Sequence, residues 1–222
     1  MPWGHRITMM WILKSLTALL LVPGVLSGGQ DPEVLAQRAD LALAELTTLR
    51  AAFTQRVENP VLERTTVGRG TLTYQAPTRF RIAYSDPNGD VVVNDATHVW
   101  IYLPSSQPGQ VIRQLAAASG VQNPLTFLRD LRGSYVPTRT EPDVVAGVTV
   151  DKLTLVPNGT NAPYTDLEVW IDRASGLMRQ VETRTAEGVK TRYTFERLEP
   201  NVKLAEAEFR FEVPPDAEIF DQ

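Results

Sequence analysis

From Thr66 to Leu198 the chain keeps returning to an alternation of apolar and polar residues with a period of two, cut at short intervals by turn-forming clusters. Nothing else in the sequence narrows the fold as much. Thr66–Gln75, Arg79–Tyr84, Asp90–Val93 and His98–Leu103 read as successive short strands. The breaks between them are Ala76-Pro77-Thr78, Asp86-Pro87-Asn88-Gly89 and Asn94-Asp95-Ala96. Connections this short leave no room for a crossover, so the strands are antiparallel neighbours in a meander. The alternation resumes in Val144–Val156, Tyr164–Asp172, Leu177–Thr185 and Val189–Leu198, with turns at Asp172-Arg173-Ala174-Ser175-Gly176 and Glu187-Gly188. Phe209, Phe211 and Val213 make a last short strand before Pro214-Pro215, and Gln110–Leu115 fits either a strand or the start of a helix.

Helical periodicity is confined to two places. Asp31-Pro32-Glu33 supplies a capping carboxylate, a proline at the first helical position and an acid at the positive end of the dipole. Leu35, Ala39, Ala42, Leu46, Leu49 and Phe53 then recur at spacings of three and four, predicting a helix of about five turns with one apolar stripe. Asn123-Pro124 opens a second, short helix carrying Leu125, Phe127, Leu128 and Leu131, in an insert between the two runs of strands where a mobile cover would lie. Nine or ten antiparallel strands with two or three helices predict an α+β fold, a strongly curved sheet with helices against one face.

Residues 1–27 read as a cleaved secretory leader. Arg6 gives a positive start, the stretch from Ile7 to Val25 is mostly apolar, and Val25-Leu26-Ser27 offers a cleavage site before Gly28. An uncleaved anchor is the alternative, but the apolar run is interrupted by Lys14 and broken by Pro23-Gly24, which makes it a poor membrane span. Residues 28–222 are then expected to form one domain in the periplasm. Cysteine is absent, so the core must hold without disulfides and no acylatable cysteine follows the leader. The net charge of −4 becomes more negative when Arg6 and Lys14 leave with the leader, and no basic stripe with interleaved aromatics is visible, which argues against nucleic acid as a partner.

Enzymatic signatures are missing. The chain has two histidines, of which only His98 lies beyond the leader, so a two-histidine metal site cannot be built. Gly68-Arg69-Gly70 lacks the third glycine and following helix of a nucleotide loop, and no nucleophile elbow is present. No cofactor, metal or catalytic residue is therefore expected, and a hydrolase acting on envelope polymers is the weaker alternative. One set of residues does stand out. Leu72, Tyr74, Phe80, Ile82 and Tyr84 share one parity of the first hairpin, with Arg79 and Arg81 on the other. Such a set most often means ordinary core, and arginines of the opposite parity most often mean a solvated face.

The order of these features resembles a known family, the periplasmic outer-membrane lipoprotein carriers called LolA. The likeness is carried by Phe53-Thr54-Gln55 at the close of the first helix, and by the stretch from Gly70 through Leu72, Tyr74, Pro77 and Phe80 to Ile82. It continues in Val93-Asn94-Asp95, Val99-Trp100-Ile101-Tyr102, Gln110-Val111, the short helix after Asn123-Pro124, and Phe209-Arg210-Phe211 running to Pro214-Pro215. The resemblance implies an incomplete, half-open antiparallel β-barrel with covering helices. Its apolar cavity would hold the acyl chains of lipoproteins, taken from a lipoprotein-releasing transporter of the inner membrane and passed to an acceptor at the outer membrane by a monomeric carrier. It makes Leu72, Tyr74, Phe80, Ile82, Tyr84 and Trp100 the expected cavity wall and puts Phe127 and Leu128 on the cover. A lipid or glycolipid shuttle, or an envelope sensor module of the same shape, is the alternative. Two positions depart from the family pattern: Ala76 stands where an arginine would tie the cover shut, with Arg79 the nearest substitute, and Ala96 stands where glycine is usual.

Overall fold

The computed structural model describes residues 30–119, 135–159 and 164–222. The expected leader, the Asn123-Pro124 helix and the cover residues Phe127 and Leu128 lie outside the described residues.

Helix α1 spans Pro32–Ala44, with Asp31 accepting from the backbone N–H of Glu33 at 2.9 Å and Leu35, Ala36 and Ala39 buried. It stops about two and a half turns before its apolar stripe does, and the stripe's last two residues, Leu49 and Phe53, belong to a strand. Strand β1 covers Thr48–Asn59. The reason lies in the residues: the β-branched pair Thr47-Thr48 disfavours helix, and Leu49, Ala51 and Phe53 also satisfy a period of two. Asn201 holds the changeover by accepting from the Thr47 N–H at 2.9 Å, while the Thr48 hydroxyl donates to the Val202 carbonyl at 2.6 Å. The expected helix to Phe53 is thereby corrected.

The remaining strands are β2 (Arg64–Gln75), β3 (Arg79–Asp86), β4 (Asn88–Asn94), β5 (His98–Tyr102), β6 (Gln110–Leu115), β7 (Tyr135–Val145), β8 (Val148–Pro157), β9 (Asp166–Asp172), β10 (Met178–Arg184), β11 (Lys190–Pro200) and β12 (Glu218–Asp221). They form one 12-stranded sheet in the order β12-β6-β5-β4-β3-β2-β1-β11-β10-β9-β8-β7. Its edges β12 and β7 do not meet, so the sheet is an unclosed barrel wall, as expected.

Three details differ from the sequence reading. The single strand predicted over Val144–Val156 is the end of β7 and most of β8, joined at Ala146-Gly147, where both residues take the left-handed conformation of a two-residue hairpin turn. Phe209–Val213 is not a paired strand: Glu206–Phe209 forms a 3-10 turn and the chain continues unpaired until β12, beyond Pro214-Pro215. And β12 runs parallel to β6, the one parallel pairing among the described residues.

The core lies on one face, called here the inner face. Leu49, Ala51 and Phe53 of β1, Leu72 and Tyr74 of β2, and Phe80 and Ile82 of β3 form one buried cluster with Leu153, Leu155, Leu167, Val169, Ile171, Val181 and Phe195 from the second meander. Leu35, Ala36 and Ala39 of α1 belong to the same cluster. The helix rests against β7 and β8. Arg38 anchors it to the β9–β10 turn by donating to the Asp172 carbonyl at 3.0 Å and to the Arg173 carbonyl. Gly176 in that turn lies at φ +75°, with a Cβ there 3.0 Å from the Ala42 side chain, so the turn needs glycine both for its backbone and for the helix to approach.

Asp172 organises this turn. It is 5% exposed, accepts two hydrogen bonds from Arg179 (3.0 and 2.8 Å), and accepts from the N–H groups of Ala174 (2.7 Å) and Ser175 (3.1 Å). Burial pushes its pKa up, but Arg179 and the two amides together outweigh burial and hold it below the ordinary carboxylate value. A depressed folded pKa contributes stability that is complete above the unfolded value and lost as pH falls through the folded one. Asp172→Asn should therefore lower stability by about 2 kcal/mol near neutral pH and flatten the decline below about pH 4, as read from urea melts across pH.

Candidate functional site

Because successive residues of a strand point to opposite faces, the registers divide the expected site residues cleanly. Leu72 pairs with Ala51 and Ile82, Tyr74 with Leu49 and Phe80, and Ile82 with Val92, so all of these share the inner face. Tyr84, opposite Gly70 of β2, joins them. Leu72, Tyr74, Phe80 and Ile82 are each 5% exposed or less, packed into the cluster that also takes in the second meander and α1.

Trp100 belongs elsewhere. It pairs with Val93, which pairs with Arg81, which pairs with Thr73. That parity is the outer face, so its expected place in the same wall as Leu72 and Phe80 is corrected, and its ring stacks on Phe211 at 5.5 Å instead. Its indole N–H donates to Asp95 at 2.9 Å, and the Arg113 guanidinium lies 5.5 Å from its ring centre.

Two features were not singled out from sequence, one on each face. Towards the β1–β2 hairpin the apolar wall ends in a polar link between rings. The Tyr84 hydroxyl donates to Gln55 Oε1 at 3.0 Å, and Gln55 Nε2 donates to the Tyr193 hydroxyl at 2.7 Å. Phe53 meets Tyr84 edge-on at 5.2 Å and Tyr193 at 5.9 Å, and Tyr193 stacks near Phe195 at 6.3 Å. Burial, above all, raises the pKa of both phenols, that of Tyr193 strongly and with help from its neighbour Tyr84, so both stay neutral at any physiological pH. Gly68 and Gly70 make room for this cluster. A Cβ on Gly70 would stand 2.2 Å from the Ala83 carbonyl and 2.9 Å from the Phe53 ring, and one on Gly68 would stand 3.0 Å from Tyr84. The glycine pair that failed as a nucleotide loop is thus a seat for aromatic rings. Gln55 was read only as part of a motif closing the first helix; reading Leu49, Ala51, Phe53, Gln55 with a period of two would have placed it on the inner face.

The second feature is how the outer face is covered. Arg50, Thr73, Arg81, Val93, Trp100, Arg113 and Asp221 form one row across seven strands, β1 to β6 and β12. The C-terminal segment crosses this row. Glu208 accepts two bonds from Arg50 (3.0 and 2.8 Å), Glu206 pairs with Arg79 at 2.5 Å, Phe211 covers Trp100, and Asp221 accepts two from Arg113 (2.6 and 2.9 Å). Burial pushes the Glu208 carboxylate up, but the bond from Arg50, the Ala205 amide and the charges of Arg50 and Arg81 together outweigh burial and hold it below its ordinary pKa. A cleft of about 570 Å³ remains between segment and sheet, lined in part by Arg50, Thr73, Arg81, Tyr102 and Phe211. Arg79 and Arg81, expected on a solvated face, are on this covered one. Arg79, committed to Glu206 and to Gln75 at 3.2 Å, faces away from the inner wall and does not replace an arginine at Ala76. Ala76 itself is exposed, its N–H donating to the Thr47 carbonyl at 2.8 Å.

Comparison with known proteins gives this geometry a family. Residues 44–212 match the family model described as outer membrane lipoprotein carrier protein LolA. The outer-membrane lipoprotein carrier protein of Methylibium petroleiphilum is 27% identical over 180 residues, 81% of this chain and 86% of that one. The carrier of Pasteurella multocida is 24% identical over 212 residues, 95% of this chain and 97% of that one. Among solved structures, an uncharacterized conserved protein from Thermus thermophilus aligns with a TM-score of 0.55 at 16% identity, covering 87% of this chain and all of that one. MucB aligns with a TM-score of 0.53 at 18% identity, covering 83% of this chain but 64% of MucB. These two likenesses concern the fold alone.

The two-point contact of Arg50 with Glu208 should register as a coupling of about 1 kcal/mol in a double-mutant cycle of Arg50→Met and Glu208→Gln, since the pair is partly exposed and screened. Either substitution should speed hydrogen exchange in residues 205–212 and leave exchange in β3 unchanged. Equal acceleration in β3 would mean that the two faces do not behave independently.

Proposed function

Because the chain belongs to the outer-membrane lipoprotein carrier family LolA, we propose that its inner face takes up the acyl chains of lipoproteins and carries them through the periplasm from the inner to the outer membrane, without performing chemistry on them. The observation that supports this most is the continuity of that face. Leu72, Tyr74, Phe80 and Ile82 from the first meander and Leu153, Leu155, Leu167 and Val169 from the second make one apolar surface on the inside of an unclosed sheet, with α1 against it.

The energetics suit a carrier. Burying lipid gains about 0.8 kcal/mol per methylene, so one chain of ~16 carbons contributes on the order of 10 kcal/mol. In the described form the wall side chains are buried against one another, so uptake requires them to part, and that cost lowers the net affinity to the point where cargo can leave for a better binder. A closed empty form also keeps the apolar surface from water. The donor would be a lipoprotein-releasing transporter of the inner membrane and the acceptor a lipoprotein receptor of the outer membrane. The expected leader, residues 1–27, would deliver the chain to the periplasm, where residues 28–222 act as one monomeric carrier domain. Phe127 and Leu128 would line the cover.

A second reading is kept by a specific likeness: MucB shares the fold, so a sensor module or free-lipid shuttle could be built on the same sheet. Mass spectrometry of molecules co-purified from the periplasm separates the two, acylated peptides favouring the carrier and free phospholipid the shuttle. Phe80→Glu or Ile82→Glu should abolish uptake of a fluorescent acyl peptide while circular dichroism stays native, because a carboxylate in the wall must either be hydrated or neutralised. Undiminished uptake by both variants would overturn the assignment of this wall to cargo.

A further inference from the structure

The inner face changes character along the direction of β1. Leu49, Ala51 and Phe53 stand on apolar rows: Leu49 between Tyr74 and Pro200, Ala51 beside Leu72, and Phe53 opposite Phe195. Two residues on, Gln55 lies opposite Tyr193 and Gly68. One step further, Val57 stands between Thr66 and Thr191, and Thr191 pairs with Thr183. The face therefore runs from hydrocarbon to neutral hydrogen-bonding groups within one strand. From Leu49 to Gln55 the rise is about 20 Å, which is the length scale of an extended chain of about 16 carbons. A linear amphiphile carries the same gradient, a tail that ends in a carbonyl.

Resting on the carrier reading, we propose that Gln55, fixed between Tyr84 and Tyr193, recognises the carbonyl group of the acyl linkage, ester or amide, and so makes the inner face select acyl chains over plain hydrocarbon. The Gln55 amide is oriented from both ends: its oxygen accepts from Tyr84 and one N–H is given to the Tyr193 hydroxyl. A primary amide has a second N–H, and among the described residues nothing else is bonded to it. That N–H belongs to a side chain that is only partly buried, at the point where the apolar wall ends. Its bonds to Tyr84 and Tyr193 fix the amide beside the rings that Gly68 and Gly70 admit, so the remaining N–H is held in a set direction. The donors are neutral. Gln55, Thr66, Thr183 and Thr191 offer no formal charge, so the site suits an uncharged carbonyl and not a phosphate.

The test compares two probes that differ only in that carbonyl: a short peptide carrying two palmitoyl esters, and the same peptide carrying two hexadecyl ethers. Affinities are measured by tryptophan or dye-displacement fluorescence on the leader-free chain. One hydrogen bond should favour the ester about fivefold to tenfold in the wild type. Gln55→Met should bring the ratio to within about twofold. Tyr193→Phe, which removes the hydroxyl that orients the amide, should reduce the ratio part of the way, and it decides the matter by the same ratio if Gln55→Met loses its native circular dichroism. Equal binding of ester and ether by the wild type, or a preference that survives in Gln55→Met, overturns the proposal while leaving the carrier reading intact. Failure of the wild type to bind either probe overturns the carrier reading itself, and this proposal with it.

Discussion

Strand β1 is what makes the molecule one sheet. It pairs with β2 on one side and β11 on the other, and among the described residues no other pairing links the first meander, β1 to β6, with the second, β7 to β11. Its register therefore sets two things at once. It joins the halves of the apolar cluster, through Phe53 against Phe195, and it decides which side chains face inward. A slip of one residue would turn Phe53 and Gln55 outward and bring Arg50 into the wall, a change whose cost explains why the register is so firmly held. The Asn201 and Thr48 bonds at the start of β1 pin that register where the chain leaves α1.

The two faces are covered by different physics. On the outer face the chain's own C-terminal segment is held by directed contacts: Arg50 with Glu208, Arg79 with Glu206, Phe211 on Trp100, and Arg113 with Asp221. Separating them would strand partners whose geometry nothing else in water reproduces in one place. The inner face is held by contacts among aliphatic and aromatic side chains, which are non-directional and can be exchanged for any other hydrocarbon of similar area. Of the two, the inner face has fewer specific bonds to lose if its contacts were exchanged for those of a ligand. The glycine seat under Tyr84 and the amide at Gln55 are the exception, a directed element at the end of an undirected surface.

Much of this was legible in the sequence. The period of two located most strands, and the parity of Leu72, Tyr74, Phe80 and Ile82 put them on one face before any register was known. What failed did so for identifiable reasons. Leu46, Leu49 and Phe53 fit a period of 3.6 as well as Leu49, Ala51 and Phe53 fit a period of two, and only the sheet on either side of β1 resolves that tie. Trp100 was placed in the wall by the resemblance, although parity measured through Val93 and Arg81 sets it on the other face. The C-terminal cover was invisible because its pairing to β6 is four residues long and lies beyond two prolines, and because ion pairs between distant arginines and glutamates leave no periodic mark.

The absence of an arginine at Ala76 bears on how a carrier of this kind would close. Arg79 is spent on Glu206 at the outer face, so a charged latch from this hairpin is not available to the inner one. Among the described residues the inner-face contacts are then chiefly those of apolar area. When the wall parts, each square ångström of exposed hydrocarbon costs about 25 cal/mol, and an entering acyl chain returns nearly the same per square ångström as it covers that surface. The exchange of self-contact for cargo contact is accordingly close to balanced, whatever the absolute size of either term. What remains to decide between empty and loaded forms is the small directed contribution at the carbonyl and the difference between this wall and the next one the chain meets. Near-balance is what a carrier without an energy source requires: a deeper well would retain the cargo, and a shallower one would leave it to water.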